Sequence, residues 1–132
     1  MAYRGTAVLV GAGTLAAGLA LVPTAHAKAP AVDYDKLRAD IVAIMESEDQ
    51  RRGDGTGIGP TFVRLAWHTS GTYSKVDGTG GSNASTMRFC PEGNWGANQG
   101  LCFARRMLEP LKAKYPGISY GDLWTFASKV GN

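Results

Sequence analysis

The chain has 132 residues, of which 44% are hydrophobic and 19% charged, and its formal net charge is +3. This length allows one domain, and a small charge that is not gathered into a basic block argues against nucleic-acid binding. The two cysteines, Cys90 and Cys102, form no C-x-x-C pattern and have no histidine nearby, which excludes a zinc site and a disulfide framework. We expect two buried free thiols, and a single disulfide is the alternative.

The first 27 residues, MAYRGTAVLVGAGTLAAGLALVPTAHA, differ in composition from the rest of the chain. One cation, Arg4, precedes an uncharged run that ends at Lys28, and Ala25-His26-Ala27 has the A-x-A form of a cleavage site. Uncleaved, the run has the roughly 20 residues that cross a bilayer. We predict a signal, targeting or membrane-anchor segment over residues 1–27, with membrane association through residues 5–27 if it is an anchor, and one domain over residues 28–132.

A glycine pattern in this leader imitates a dinucleotide-binding fingerprint. AVLVGAGTLAAG reads as a strand followed by G-x-G-x-x-A, and Asp33 lies at a suitable distance. The fingerprint requires a crossover helix and a second strand. Gly18 and Pro23 interrupt the helix, and the sequence from Tyr34 onwards is helical in pattern. The context therefore excludes a nucleotide-binding module.

Two helices are predicted in the first half of the domain. Asp33 is a candidate N-cap, and Gly53 ends the first helix. After the connection GDGTGIGP, Pro60 suits the first position of a second helix, which then covers Thr61–Ser70 and ends at Gly71. Between Asp33 and Gly53, apolar residues recur at helical spacing: Tyr34, Leu37, Ile41 and Ile44.

The second half of the domain is less regular. Residues 71–96 are rich in Gly, Ser, Thr and Asn and read as a long irregular loop. A third helix is expected from near Asn98, and Pro110 inside it predicts a kink or a fresh start. Ser119-Tyr120-Gly121-Asp122 is a variant capping box that opens a fourth helix, with Ile118 and Leu123 spaced as a hydrophobic staple. No segment has a strand pattern, so the predicted fold class is all-α.

One face of the second helix places polar side chains inside an apolar segment, FVRLAWHTSG. Residues three and four apart share a helical face, so Arg64, Trp67 and His68 project together. In one interpretation all three are structural. In the other, a neighbouring cation and burial both favour a neutral imidazole, which can act as a general base, while Arg64 stabilises negative charge on a reactant. The second interpretation suits heterolysis of a small polar molecule.

The segments VRLAWHTSGTY, DGTGGSNASTMRF, ANQGL and LEPLK resemble class I haem peroxidases, cytochrome c peroxidases first and ascorbate peroxidases next. The resemblance extends from about Asp33 to Phe126. It implies the distal helical half of the two-domain, all-α haem peroxidase fold, here preceded by a hydrophobic leader. It also implies an enzyme that reduces hydrogen peroxide to water in the defence against oxidative stress.

The resemblance assigns roles to four residues. His68 corresponds to the distal general acid/base, Arg64 to the distal arginine that stabilises the transition state, and Trp67 to the distal tryptophan, and these three would line a haem b pocket. Asn98 resembles the asparagine whose side-chain carbonyl accepts a hydrogen bond from the distal histidine and orients it. Glu109 in LEPLK matches a structural carboxylate without a catalytic role.

The resemblance implies the distal half alone. The family's proximal histidine, which binds the haem iron, lies in the other half, and the histidines of this chain are His26, in the leader, and His68. We therefore assign no metal ligand and expect haem b to be shared with a proximal half missing from this chain. The first hypothesis is an incomplete chain of an active peroxidase. The alternative is a non-catalytic short product that binds haem poorly or not at all.

Cytochrome c and ascorbate are the two electron donors that the resemblance suggests. Ascorbate peroxidases carry a lysine and a cysteine just before the distal helix, where this chain has Thr56 and Ile58, which favours cytochrome c. A hybrid ascorbate/cytochrome c type with a hydrophobic leader also fits residues 1–27. The favoured location is mitochondrial, in a membrane or in the intermembrane space, and an endomembrane or secretory route is the alternative.

Overall fold

The computed structural model describes residues 30–132, in which every regular element is helical. The prediction of an all-α fold is therefore confirmed. The predicted leader, residues 1–27, lies outside the described residues. None of the helices in the described part of the chain combines the length and the apolar character needed to cross a membrane. The α-helices are α1 (Tyr34–Arg52), α2 (Gly59–Ser70), α3 (Gly81–Ala84), α4 (Leu101–Lys114) and α5 (Tyr120–Val130).

Helix α1 begins and ends at the residues that the sequence indicates. The side chain of Asp33 accepts a hydrogen bond from the backbone N–H of Lys36 at 3.1 Å, as an N-cap does. Gly53 follows the helix in the left-handed conformation, with φ 68°, and its N–H donates to the carbonyl of Asp49. Leu37 and Ile41 then face the core.

Helix α2 contacts α3, α4 and α5, most extensively α5. Its inner face is buried through side chains at helical spacing: Phe62, Leu65, Ala66 and Thr69. The helix begins two residues before the predicted Thr61, so that Pro60 occupies its first turn, where a missing N–H does no harm. Burial of this face fixes the rotation of α2 and turns the opposite face outwards.

The segment predicted as one long irregular loop contains short helices. Besides α3, it includes 3₁₀ turns at Thr86–Arg88, Glu92–Asn94 and Gly96–Asn98. Helix α3 packs against α5 where Gly121 offers no side chain: a Cβ built there would lie 2.3 Å from the carbonyl oxygen of Ser82. The glycine-rich composition therefore gave no indication of α3, which is stabilised by packing against a helix distant in sequence.

Helix α4 begins later than predicted and has no fresh start at Pro110. It begins at Leu101 rather than near Asn98, because Asn98 lies in a 3₁₀ turn and Gly100 reverses the chain with φ 84°. It also continues without interruption past Pro110. Proline removes the donor for the carbonyl of Arg106, but both residues are exposed, so water can satisfy that carbonyl.

Helix α5 closes the core. Ser119 caps it by accepting a hydrogen bond from the N–H of Asp122 at 3.0 Å, and Ile118 and Leu123 are both buried, as the predicted staple requires. Trp124 is 1% exposed and is the largest fully buried side chain among the described residues. The other helices contribute apolar side chains to the same core, among them Leu37, Ile41, Phe62, Leu65, Leu101, Ala104 and Leu108.

The prediction of buried thiols is wrong. Cys90 and Cys102 are both free and exposed. Cys102 lies on the outward face of α4, one residue after the buried Leu101, and Cys90 lies in the connection before Pro91. Cysteine is a small apolar residue that packs inside readily, but here the buried positions of α4 are already taken by leucine and alanine.

The carboxyl end of α1 carries a buried carboxylate between two arginines. Nε and Nη2 of Arg51 donate to Glu48 at 2.7 and 2.6 Å, and Nε of Arg52 donates at 2.7 Å. These hydrogen bonds, those of Arg51 first, hold the pKa of the Glu48 carboxyl at about 2, below its ordinary 4.5. Because the folded-state pKa is depressed, the stability that Glu48 contributes is complete above pH 4.5 and is lost as the pH falls towards 2.

We expect Glu48→Gln to lower the free energy of unfolding at neutral pH and to reduce the loss of stability between pH 4.5 and pH 2, because glutamine has no charge to titrate. Urea denaturation at both ends of this range measures the effect. Glu46→Gln changes an exposed residue of the same helix and serves as the matched control. The same acid-induced loss in E48Q as in the wild type would contradict this role for the carboxylate.

Candidate active site

The outer face of α2 brings the three predicted residues together. Arg64 and His68 are partly buried, whereas Trp67 is 77% exposed. The apolar residues Phe62 and Leu65 lie fully buried on the inner face. One face of α2 therefore packs in the core, and the polar side chains of the opposite face remain accessible to solvent.

His68 is oriented by a chain of hydrogen bonds. Its Nδ1 lies 3.0 Å from Oδ1 of Asn98. The Nδ2 of Asn98 donates to the backbone carbonyl of Glu92 at 2.8 Å, which fixes the amide with its oxygen towards the imidazole. Since Oδ1 can only accept, Nδ1 of His68 carries the proton, and in the neutral ring Nε2 then has a free lone pair. The structure thereby brings the predicted partner, Asn98, to His68.

Arg64 is held by the same segment of chain. Its Nη1 donates to the carbonyl of Gln99 at 2.8 Å, and its Nη2 donates to the carbonyl of Ala97 at 2.5 Å. Gly100 follows directly with φ 84°, a left-handed conformation that lets the chain turn into α4 beside the guanidinium. Arg64 therefore has a fixed position, and its remaining N–H groups have no recorded partner among the described residues.

The charge of this face is not neutralised from within the described residues. None of the ion pairs found there involves Arg64 or His68. Residues 30–132 also contain no group of three or more histidine, cysteine, aspartate or glutamate side chains placed to hold a metal ion. The face is therefore suited to a ligand with negative or developing negative charge rather than to a bare cation.

An exposed indole lies beside this polar pair. Tryptophan is highly buried on average, so 77% exposure leaves a large apolar area open to water. Val63, one turn before Trp67, is also exposed. A flat apolar group could cover the indole and still leave Arg64 and His68 in reach of a small polar molecule.

The sequence did not reveal the groups that position the site from the main chain. The carbonyls of Glu92, Ala97 and Gln99 act as acceptors, and a main-chain carbonyl has no side-chain signature. Glu92 is itself buried, and its carboxylate accepts a hydrogen bond from Oγ1 of Thr86. Nothing in the sequence around Glu92 indicated that this side chain would be buried.

Glu109 lies away from this face. Its carboxylate accepts a hydrogen bond from the hydroxyl of Tyr120, which joins α4 to α5. That hydrogen bond is the main cause of a raised pKa of the Tyr120 phenol. The contact is compatible with the structural role expected for Glu109.

The all-α fold of the described residues is consistent with the distal helical half of a class I haem peroxidase. The family model described as Peroxidase matches residues 37–131. The chain is 59% identical over 92 residues to the mitochondrial cytochrome c peroxidase of Pyricularia oryzae, and 56% identical over 95 residues to that of Aspergillus fumigatus. The alignments cover 70% and 72% of this chain and 25% of each relative. The chain belongs to the peroxidase family.

The resemblance stated from the sequence is thus confirmed at the level of the family. The chain spans about a quarter of the length of these curated relatives. The roles of His68, Arg64, Trp67 and Asn98 and the boundary at residue 28 stay predictions.

We expect Asn98→Ala to lower the population of the Nδ1–H tautomer of His68, because the carbonyl that accepts this proton is removed. ¹⁵N NMR of the imidazole measures the tautomer and requires no cofactor. Gln99→Ala is the matched control, since Gln99 bonds to Arg64 through its backbone carbonyl. If N98A and Q99A have the same tautomer population as the wild type, the amide does not orient the ring.

Proposed function

We propose that this chain forms part of a haem peroxidase that reduces hydrogen peroxide to water with electrons from cytochrome c. The observation that carries the proposal is the hydrogen-bonded sequence from His68 through Asn98 to the carbonyl of Glu92, beside an anchored Arg64. It leaves one basic nitrogen and one fixed cation on the same open face. The membership in the peroxidase family supports the reaction type.

The residues of the outer face fit a haem group, of the b type that the resemblance implies. Trp67, Arg64 and His68 would hold the haem group, with the indole as an apolar contact. Haem, when bound, supplies the iron that binds peroxide and provides the electrons for its reduction. The described residues would form one wall of this site, and we assign none of them as an iron ligand.

His68 carries the proton transfer. Its Nε2 has the free lone pair, so it can take the proton from one peroxide oxygen and return it to the other, which then departs as water. No net proton is gained by the histidine. The bond from Nδ1 to Asn98 keeps the ring from rotating or changing tautomer during this transfer.

Arg64 contributes charge rather than proton transfer. A guanidinium stays charged at any physiological pH, and its two bonds to main-chain carbonyls hold it in place before the reaction begins. A cation fixed in advance favours the negative charge that develops as the O–O bond breaks, without reorganisation. Its loss removes part of the stabilisation and leaves the proton carrier intact.

The proposed donor and location follow the relatives. The curated relatives are named mitochondrial cytochrome c peroxidases, and we extend both properties to this chain. Ile58, at the position where ascorbate peroxidases have a cysteine, is fully buried and offers no polar group to a small donor. The mitochondrial compartment and a role in oxidative-stress defence complete the proposal.

We expect His68→Leu to slow hydrogen peroxide consumption far more than Arg64→Leu, because loss of a general base typically reduces the rate by about 10²–10⁴-fold. Initial rates of peroxide loss, measured on haem-loaded full-length protein, test this order. The absorption spectrum of each variant controls for haem content. Equal and mild effects of both substitutions would refute the assignment of roles.

For the donor, we expect the haem-loaded protein to oxidise ferrocytochrome c faster than ascorbate at equal peroxide concentration. Parallel steady-state assays with each reductant measure the preference. A faster reaction with ascorbate would overturn the proposed donor and leave the peroxidase assignment in place. The alternative, a non-catalytic product, predicts neither a Soret shift on addition of haem nor peroxide turnover in either assay.

A further inference from the structure

A second cleft lies where α4, α5 and the 3₁₀ turn Thr86–Arg88 meet. It has a volume of about 580 Å³, within the range of small-molecule sites, roughly 300–1,000 Å³. No residue of α2 lines it, so it is separate from the face that carries His68. Its lining combines cations with aromatic rings, and the residues that matter are Arg88, Arg105, Arg106, Glu109, Tyr120 and Trp124.

The arginines of this cleft make no ion pair within the described residues. The ion pairs of residues 30–132 use other cations, namely Lys36, Arg51, Arg52 and Lys114. The single carboxylate in the lining, Glu109, accepts a hydrogen bond from Tyr120 rather than pairing with an arginine. Lys112 adds a further cation, 5.6 Å from the centre of the Tyr120 ring. Like charges gathered without a partner repel, and an anion in the cleft would relieve that repulsion.

Arg88 and Arg105 are held in place, and all three arginines still have free donors. The guanidinium of Arg88 lies 4.4 Å from the Tyr120 ring centre and 4.8 Å from that of Phe89, and its Nε donates to the carbonyl of Ser85. Arg105 donates through Nη1 to the carbonyl of Met87, and its Nε has no partner among the described residues. Arg106 makes only a long contact, 3.9 Å, with the sulfur of Cys102. Fixed guanidinium groups lose little freedom when they bind a carboxylate or phosphate.

We propose that this cleft binds a small organic anion that carries a phosphate or carboxylate group on a planar ring. The arginines recognise the anionic group through charge-assisted hydrogen bonds. The ring of the ligand packs beside Tyr120, whose ring already stacks with Arg88 and meets Trp124 edge to face at 5.9 Å. The site is additional to the proposed peroxidase face and does not depend on haem.

Isothermal titration calorimetry of the full-length protein tests the proposal with adenosine 5′-monophosphate as the probe, because it joins a phosphate to a planar ring. We expect a Kd of about 1 mM or tighter at low salt, weakening as salt screens the charges. Adenosine, which has the ring without the charge, should bind at least tenfold more weakly. Equal binding of both probes, or no binding of the monophosphate, would overturn the proposal.

Arg106→Ala locates the binding. Its side chain is exposed and makes no other recorded hydrogen bond, so the variant should fold, which circular dichroism verifies. We expect about tenfold weaker binding of the monophosphate, as for loss of a charge-assisted hydrogen bond. Arg38→Ala removes an exposed arginine that lies over the ring of Phe126, outside the cleft, and should bind like the wild type. Equal weakening in both variants would mean diffuse attraction to surface charge and would refute a site in the cleft.

Discussion

The hydrogen bonds between α2 and the segment at residues 97–99 are the constraint on which the outer face depends. Arg64 donates to the carbonyls of Ala97 and Gln99, and His68 bonds to the side chain of Asn98 between them. Two residues one turn apart on α2 thus form hydrogen bonds with three consecutive residues of a single segment. Neither element can slide or rotate far without breaking these hydrogen bonds. The hydrogen bonds that join α2 to residues 97–99 therefore also orient the imidazole of His68 and the guanidinium of Arg64.

The position of that segment depends in turn on the packing beneath it. Phe62 and Leu65 bury the inner face of α2, and Leu101 buries the start of α4, directly after the segment ends. Gly100 allows the segment to bond to α2 and α4 to pack in the core at the same time. Its left-handed backbone conformation connects the 3₁₀ turn directly to the buried start of α4. Apolar burial therefore sets where α2 and α4 lie, and hydrogen bonding sets the finer orientation of the functional groups between them.

Sequence periodicity was sufficient for the long helices and for the functional face, since both follow from spacing. Asp33 and Gly53 delimit α1 as predicted, and Arg64, Trp67 and His68 share a face as the helical repeat requires. Spacing could not reveal that α3 forms within a glycine-rich stretch, because its packing partner is Gly121 on another helix. It could not reveal the carbonyl acceptors either, because every residue has a carbonyl. The pairing of Asn98 with His68 came from the family resemblance, since the two residues are 30 positions apart and lie in different elements.

The arginines of this domain differ in function because their surroundings differ. Arg51 and Arg52 both pair with the carboxylate of Glu48 at the end of α1 and stabilise the fold. Arg64 bonds to neutral carbonyls, which fix its position and leave its charge uncompensated on the face of His68. Arg88 stacks on aromatic rings, which also leave its charge uncompensated. A carboxylate paired directly with either guanidinium would weaken the positive potential there, so carbonyl and aromatic partners preserve it where an anion or a developing negative charge can use it.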